Sequence, residues 1–250
     1  MTIDLFKRIS NYVSKNIEKR SSILDIYRGS AVFLMIIYHF CWDLRAFGYV
    51  KYALSDPFWV NFRGIIMTLF ISAVGWSAYL AYRHGINGTN LFKRQGKLLL
   101  CAGVISLGSY IAFPNNWIFF GIIHFIFIAS LIIIPVARLP ILSFLIGIGI
   151  LTVYLVNDDV RNFSLHHALT STFTLPSYTL DLVNIVPWIA IVFLGPILGY
   201  FKLHNLHVPN HPIFTIFAFL GRHALLIYLC HQLLIYNLIS FTTFILNTLK

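Results

Sequence analysis

Long apolar segments with almost no charge dominate this chain of 250 residues. Hydrophobic residues make up 58% of the chain, charged residues only 10%, and the mean hydropathy is +0.80. A soluble domain is about one quarter charged, so a chain with this few charges lacks the polar surface that water requires. Lipid must be its main solvent. Because helices satisfy their own backbone polar groups in lipid, we predict an all-α polytopic membrane helix bundle.

An apolar helix needs about 20 residues to cross the hydrocarbon core of a bilayer. The candidate segments are 25–47, 60–83, 96–113, 117–137, 140–156, 184–201 and 222–246. We therefore predict about seven transmembrane helices. Residues 1–22 carry Lys and Arg between apolar residues four apart, which predicts an N-terminal amphipathic interfacial helix. The predicted domains are this cytoplasmic segment, 1–22, and a transmembrane domain, 23–250.

The positions of the basic residues predict the orientation of the bundle. Thirteen of the 18 Lys and Arg residues fall in the N-terminal segment and at alternate ends of the predicted helices. Cytoplasmic loops carry such an excess, so we place the N-terminus in the cytoplasm and the chain in the cell (inner) membrane. The formal charge of +10 then reflects contact with anionic lipid head groups, and nucleic acid is not an expected partner. The three cysteines lack metal-binding spacing, so no metal is expected.

The first predicted helix keeps ionisable residues that lipid tolerates poorly. At about 100° per residue, Arg28 and His39 lie on one face, about 16 Å apart along the axis, and Asp43 follows one turn later. Such residues normally face a bundle interior or a water-filled cavity. A carboxylate one turn away can orient an imidazole and stabilise its protonated form, so His39 with Asp43 is a candidate general base. A neutral packing histidine is the alternative reading of His39.

Two further histidines lie inside predicted spans at a depth that matches His39. His124 follows the turn at Pro114–Asn116, and His231 follows Arg222 by nine residues. Tyr228 and Gln232 accompany His231 on the same helix. Three histidines at one depth could converge on a single cavity. The small residues of two other spans, among them Gly75, Gly195 and Gly199, predict close helix packing.

Four segments resemble membrane proteins related to heparan-alpha-glucosaminide N-acetyltransferase, in particular their smaller bacterial members. The first segment follows the pattern Asp-x-x-Arg-Gly, an apolar run, Tyr-His-Phe and a later Asp. Its matching residues are Asp25, Arg28, Gly29, Tyr38, His39, Phe40 and Asp43. The other three segments read FISAVGWSAYLAYR, IFFGIIHFIFIA and LGRHALLIYLCHQLLI. They follow in the expected order over nearly the whole chain.

The resemblance implies a transmembrane acyltransferase domain over residues 23–250 with His39 at the position of the family's catalytic histidine. It implies acetyl-CoA from the cytosol as the acyl donor. The acceptor would be an amino sugar or a glycan hydroxyl of the cell envelope on the far side of the membrane. The expected partners are acetyl-CoA, this acceptor and membrane lipids, and a homodimer is left open.

Acyl transfer from a thioester predicts roles for the other polar residues. The reaction needs a base, hydrogen-bond donors for the developing oxyanion, and cations for the CoA phosphates. We expect His39 and Asp43 to be catalytic. The expected cofactor-binding residues are Arg28, Arg83, Arg94 and Arg222. The expected substrate-binding residues are His124, Tyr228, His231 and Gln232.

Two other classes of function stay open at this point. His39, His124 and His231 could ligate a haem iron, which would colour the purified protein red. Arg28, His39 and Asp43 could instead relay protons in a transporter or lipid flippase, which would move a substrate without consuming CoA.

Overall fold

The computed structural model describes residues 21–173 and 175–248. Within these ranges the chain forms ten α-helices and two 3-10 turns, Ile134–Val136 and Leu203–Asn205, and its only β-type pairing is an isolated bridge between Phe120 and Leu182. The helices are α1 Ser22–Ala46, α2 Pro57–Tyr82, α3 Gly88–Ala112, α4 Ile122–Ile132, α5 Pro140–Val156, α6 Asp158–Asn162, α7 Leu165–Thr172, α8 Ile185–Tyr200, α9 Pro212–Arg222 and α10 Ala224–Thr248.

Helix lengths agree with an all-α membrane protein. By length and composition, α1, α2, α3 and α10 can each cross a membrane, whereas α4, α5, α8 and α9 are apolar but shorter. The count of about seven spans therefore stays a prediction. Residues 1–20 of the predicted amphipathic helix lie outside the described residues. Ser21 caps α1, its hydroxyl accepting from the Leu24 N–H at 3.2 Å, so α1 begins inside the predicted 1–22 segment.

Two glycines allow α1 and α9 to pack backbone against backbone. A Cβ placed on Gly29 would lie 1.8 Å from the Phe217 carbonyl oxygen, and one on Gly221 would lie 1.8 Å from the Asp25 carbonyl oxygen. Because the higher-numbered glycine faces the lower-numbered partner, α9 runs antiparallel to α1. The chain reverses at His223, and α10 returns beside α1 in the same direction as α1.

Helix α9 was not predicted from the sequence. Its apolar stretch of 11 residues is too short to cross a bilayer, so the criterion used for spans assigned this region to a connection. Pro212 starts the helix, where a missing N–H costs nothing, and His211 caps it by accepting from the Ile213 N–H at 3.3 Å.

A second glycine contact joins α2 to α8. A Cβ on Gly75 would lie 1.9 Å from the Val192 carbonyl oxygen, and one on Gly195 would lie 2.4 Å from the Ser72 carbonyl oxygen. Gly199 faces the Tyr79 ring in the same way. The predicted packing role of these small residues is confirmed. Between these helices and α4 lies the main apolar core, which includes Ile71, Phe125 and Val192.

An extended segment before α8 pairs with the segment before α4. The Leu180 N–H donates to the Asn116 carbonyl at 3.1 Å, and the Val183 N–H donates to the Phe120 carbonyl at 3.3 Å. This pairing brings Asp181 to the first turn of α4, where its Oδ2 accepts from the Ile122 N–H at 3.0 Å. Asp181 therefore caps a helix whose own N-cap residue, a glycine, has no side chain to offer.

Candidate active site

A buried carboxylate joins two arginines where α1 begins and α9 ends. Asp25 is 1% exposed. Its Oδ1 lies 3.5 Å from Arg28 Nη1, and its Oδ2 lies 3.6 Å from Arg222 Nε. Arg28 also donates through Nη2 to the Ser77 hydroxyl on α2. The glycine contact between α1 and α9 brings these side chains together, and we call them the arginine cluster.

A cavity of about 560 Å³ opens at the arginine cluster. Its cationic lining residues are Arg28, Lys93, Arg94, Lys97 and Arg222. Beyond these cations the wall is mainly apolar, contributed by α2, α3, α4 and α10, and Tyr228 of α10 forms part of it. The arrangement offers positive charge at one part of the cavity and an apolar passage in the rest.

Three of the four predicted cofactor-binding residues line this cavity, namely Arg28, Arg94 and Arg222. Arg83 is not among the lining residues. Its Nη1 lies 3.0 Å from Nε2 of His204, in the turn that follows α8. In the structure, this arginine therefore contacts the turn after α8 rather than the cavity.

His39 of α1 and His231 of α10 lie in direct ring contact. Their ring centroids are 4.8 Å apart with an interplanar angle of 67°. Nδ1 of His231 lies 2.8 Å from the Tyr228 carbonyl oxygen. Since a carbonyl can only accept, Nδ1 carries the proton and the lone pair of the neutral ring sits on Nε2. This Nε2 atom is buried and has no hydrogen-bond partner among the described residues.

Asp43 is placed beside the histidine pair but bonds to a different residue. It is 2% exposed, and its two carboxylate oxygens accept from Gln232 Nε2 at 3.0 and 3.1 Å. The predicted hydrogen bond from Asp43 to His39 is not formed within the part of the chain that the structure describes. The i,i+4 spacing brings the two side chains to one face, but the amide on α10 is the donor that reaches the carboxylate.

The side chain of His124 is engaged within its own region of the bundle. Its Nδ1 accepts from the Gly121 N–H at 3.3 Å, and its Nε2 lies 3.0 Å from the Ser106 hydroxyl. That hydroxyl itself donates to the Ile118 carbonyl, so the neutral ring donates from Nε2. The Nε2 contact thus holds the start of α4 against α3, and the Nδ1 contact stays within the start of α4. Of the three histidines, His39 and His231 are the two in ring contact.

Tyr228 of the cavity wall lies beside Asp181 of the extended segment before α8. The Tyr228 hydroxyl lies close enough to the Asp181 carboxyl for the two groups to interact electrostatically. Burial raises the pKa of Asp181 above its ordinary value, and this effect outweighs the hydrogen bond from Ile122 that lowers it. The neutral form of this carboxyl therefore persists to a higher pH than in an exposed aspartate.

Several residues of the site were not assigned from the sequence. Asp25 belongs to the Asp-x-x-Arg-Gly pattern, but the sequence predicted no function for it. Lys97 was counted among the basic residues that predict the orientation and was not predicted to bind the cofactor. The spacing of Lys93, Arg94 and Lys97, three and four residues apart, places their side chains on one side of α3 and could have predicted a joint role. No local pattern marks Asp181, because the pairing of two distant extended segments positions it.

Comparison with known protein families identifies the family of this chain. A family model for the catalytic region of heparan-alpha-glucosaminide N-acetyltransferase matches residues 20–233. The chain belongs to this family. The resemblance inferred from the four segments is confirmed, and with it the class of membrane acetyltransferase-like proteins. No match was found among curated proteins or among solved structures.

The positions of the three histidines argue against the alternative that they ligate a haem iron. His39 and His231 are in van der Waals contact, so no porphyrin fits between them in this arrangement, and His124 has both nitrogens engaged. Among the described residues, no group of three or more His, Cys, Asp or Glu is positioned to hold a metal ion.

Proposed function

We propose that this protein transfers an acetyl group from cytosolic acetyl-CoA to an amino sugar or a glycan hydroxyl at the outer side of the membrane. One observation carries the proposal. A cavity in a chain of this family has cations at one part of its lining and Tyr228 at another, and the Tyr228 carbonyl holds His231, the buried member of the histidine pair.

The cationic part of the cavity would bind the nucleotide portion of acetyl-CoA. Phosphate oxygens form strong, charge-assisted hydrogen bonds with Arg and Lys. Five cationic side chains face this space. The apolar remainder of the cavity would then accept the pantetheine arm and direct its thioester toward Tyr228.

The histidine pair would move the proton of the acceptor. The acceptor nitrogen or oxygen attacks the thioester carbonyl carbon while His39 takes its proton. The carbon–sulfur bond then breaks, the oxyanion returns to a carbonyl, and the sulfur leaves as a thiolate that receives the proton. His231 would act with His39 as one unit, because the two rings are in contact and Nε2 of His231, which has no hydrogen-bond partner among the described residues, offers a second place for that proton.

Two buried acceptor atoms point to a proton-donating substrate at this position. Nε2 of His231 and Oε1 of Gln232 have no hydrogen-bond partner among the described residues. Buried polar atoms are rarely left in this state, because the unmade hydrogen bond costs free energy. An amine or hydroxyl supplies the N–H or O–H donors that both atoms lack.

The Tyr228 hydroxyl would stabilise the oxyanion. When Asp181 is neutral, its carboxyl proton can be donated to the Tyr228 oxygen, which leaves the phenolic proton for the substrate. The raised pKa of Asp181 favours that form. Gln232 is less suited to this task because its amide N–H group is donated to Asp43.

The excess of basic residues at one side supports an orientation with the cationic cavity lining toward the cytoplasm. Acetyl-CoA is a cytosolic compound, so the donor would enter the cavity from the side on which the cations lie. We place the chain in the cell (inner) membrane with its N-terminus inside, and we place the histidine pair toward the outer half of the bilayer.

The test is the release of free CoA thiol by protein purified in detergent. Wild type is mixed with acetyl-CoA and a panel of amino sugars and glycans. The same assay is run on His39→Ala and on a control, His167→Ala, which changes an exposed histidine of α7. We expect release that depends on acceptor, is lost in His39→Ala and is retained in His167→Ala. Transport or flipping of a substrate without thiol release would contradict the proposal.

A further inference from the structure

We infer that Asp25 is a positioning residue that holds Arg28 and Arg222 in the geometry that binds the phosphates of CoA. The inference rests on the proposed function. Asp25 does not line the cavity, whereas both of its arginine partners do. Its effect on the cofactor would therefore pass through them.

The location of Asp25 argues for positioning. Only 1% of the residue is exposed, and its own backbone carbonyl is the atom against which Gly221 packs. The two carboxylate oxygens serve different helices, Oδ1 facing Arg28 on α1 and Oδ2 facing Arg222 at the end of α9. One side chain thus sets the separation of two guanidinium groups.

The charge balance explains why a carboxylate is used between cations. Two guanidinium groups that face the same cavity repel each other, and the side chain of Arg222 is 56% exposed on a flexible stem. Without a partner it would extend toward water. Because a guanidinium has five N–H donors, it can hold a carboxylate and a phosphate at the same time.

The chain contains a matched surface pair for comparison. Asp158 and Arg161 also lie three residues apart, but their side chains are 73% and 46% exposed. Exposed ion pairs of this kind contribute little. The substitution Asp158→Asn therefore removes the same type of charge from the same type of pair without disturbing the cavity.

The primary experiment measures the Kd for CoA by calorimetry in wild type, Asp25→Asn and Asp158→Asn. We expect Asp25→Asn to weaken CoA binding by about tenfold, the effect of one charge-assisted contact, and Asp158→Asn to bind like wild type.

A second readout compares KM for acetyl-CoA with KM for acetyl-pantetheine, which lacks the nucleotide phosphates. Asp25→Asn should raise only the KM for acetyl-CoA and leave kcat unchanged, whereas a general loss of structure would impair both substrates.

A double-variant cycle tests whether Asp25 acts through Arg222. If it does, Asp25→Asn should weaken CoA binding by a smaller factor in the Arg222→Gln background than in wild type, because only Arg28 is then left for Asp25 to hold. Full additivity would overturn the inference.

Should Asp25→Asn fail to fold, Asp25→Glu keeps the charge and moves the carboxylate by one methylene. Asp25→Glu should raise the KM for acetyl-CoA relative to the KM for acetyl-pantetheine, by a smaller factor than Asp25→Asn does. A wild-type ratio of the two KM values in Asp25→Glu would also overturn the inference.

The outcomes separate this inference from the proposed function. Wild type that binds CoA without transferring acetyl contradicts only the proposed function, and the Kd values still decide the role of Asp25. Wild type that transfers acetyl, with an unchanged CoA affinity in Asp25→Asn, contradicts only the inference. Wild type that does not bind CoA contradicts both.

Discussion

The two ends of α1 present different chemistry to different neighbours: its start faces α2 and α9, and its end faces α10. At its start, Asp25 and Arg28 form ion pairs beside an open, cation-lined cavity. Towards its end, His39 contacts His231 without any ion pair between them, and Asp43 accepts hydrogen bonds from the Gln232 amide. Charge is concentrated at one end, and acid–base groups are concentrated at the other.

This contrast indicates a division between binding and chemistry. Fixed positive charge suits phosphates, which stay charged throughout a reaction. A proton-transfer group must change its protonation state, and a fixed counter-ion would oppose that change in one direction. Substitutions in the arginine cluster and at Lys93, Arg94 and Lys97 should therefore raise KM, whereas substitutions in the histidine pair should lower kcat.

The largest effect is expected at the histidine pair. His231→Ala should lower kcat by about 10²- to 10⁴-fold, the range of general acid–base catalysis, with little change in the KM for acetyl-CoA. The double variant with His39→Ala should be no slower than the more impaired single variant, because the two rings act as a unit. Thiol-release kinetics measure this. A His231→Ala enzyme with wild-type kcat would remove His231 from the chemistry.

The next effect concerns the helix contact that positions the arginine cluster. Gly221→Ala places a Cβ against the Asp25 carbonyl, so α1 and α9 must separate. We expect about 1–3 kcal/mol of destabilisation and a raised KM for acetyl-CoA. The control is Gly103→Ala on α3, where a Cβ meets nothing within 4 Å. Equal thermal stability of the two variants in detergent would contradict the close contact.

A smaller effect is expected at the cationic wall. Lys97→Gln should raise the KM for acetyl-CoA by about fivefold, the factor that about 1 kcal/mol gives, and leave kcat unchanged. Added salt should narrow the difference from wild type, because screening weakens an attraction between charges that face solvent. The matching change at Lys51, which does not line the cavity, should have no effect. A lowered kcat in Lys97→Gln would instead move Lys97 into the chemistry.

The smallest effect is a pH dependence set by Asp181. Burial raises the pKa of this carboxyl above the ordinary value of 3.8, so the folded protein binds its proton more tightly than the unfolded chain. The stability from Asp181 is therefore complete below about pH 3.8 and is lost as the pH rises through the folded pKa. Asp181→Asn should remove this part of the pH dependence of Tm. A Tm difference between wild type and variant that does not change with pH would contradict the shift.

Periodicity and composition predicted the parts of the site that lie on long helices. The membrane class followed from charge content, and the helical phase of Arg28 and His39 placed both on an interior face. Equal depth predicted that His39 could meet His231. Each of these features depends on the order of residues within one helix or on their depth in a bilayer, and both can be counted in a sequence.

The remaining features depend on contacts between segments that are distant in sequence. Asp43 bonds to Gln232, 189 residues away, and no spacing rule selects that donor over His39. His124 was assigned to the substrate, but Gly121 and Ser106 take its nitrogens. Helix α9 was missed because its short apolar run packs against α1 rather than spanning lipid alone.

The division between binding and chemistry has one direct test. Calorimetry with acetyl-CoA, in the absence of acceptor, is applied to two double variants, His39→Ala with His231→Ala and Arg94→Gln with Lys97→Gln, and turnover is measured on the same samples. The account predicts that the histidine variant binds acetyl-CoA with wild-type Kd and transfers nothing. The cation variant should bind about 25-fold more weakly and keep its kcat at saturation. A histidine variant that loses binding, beside a cation variant that binds and turns over like wild type, would contradict it.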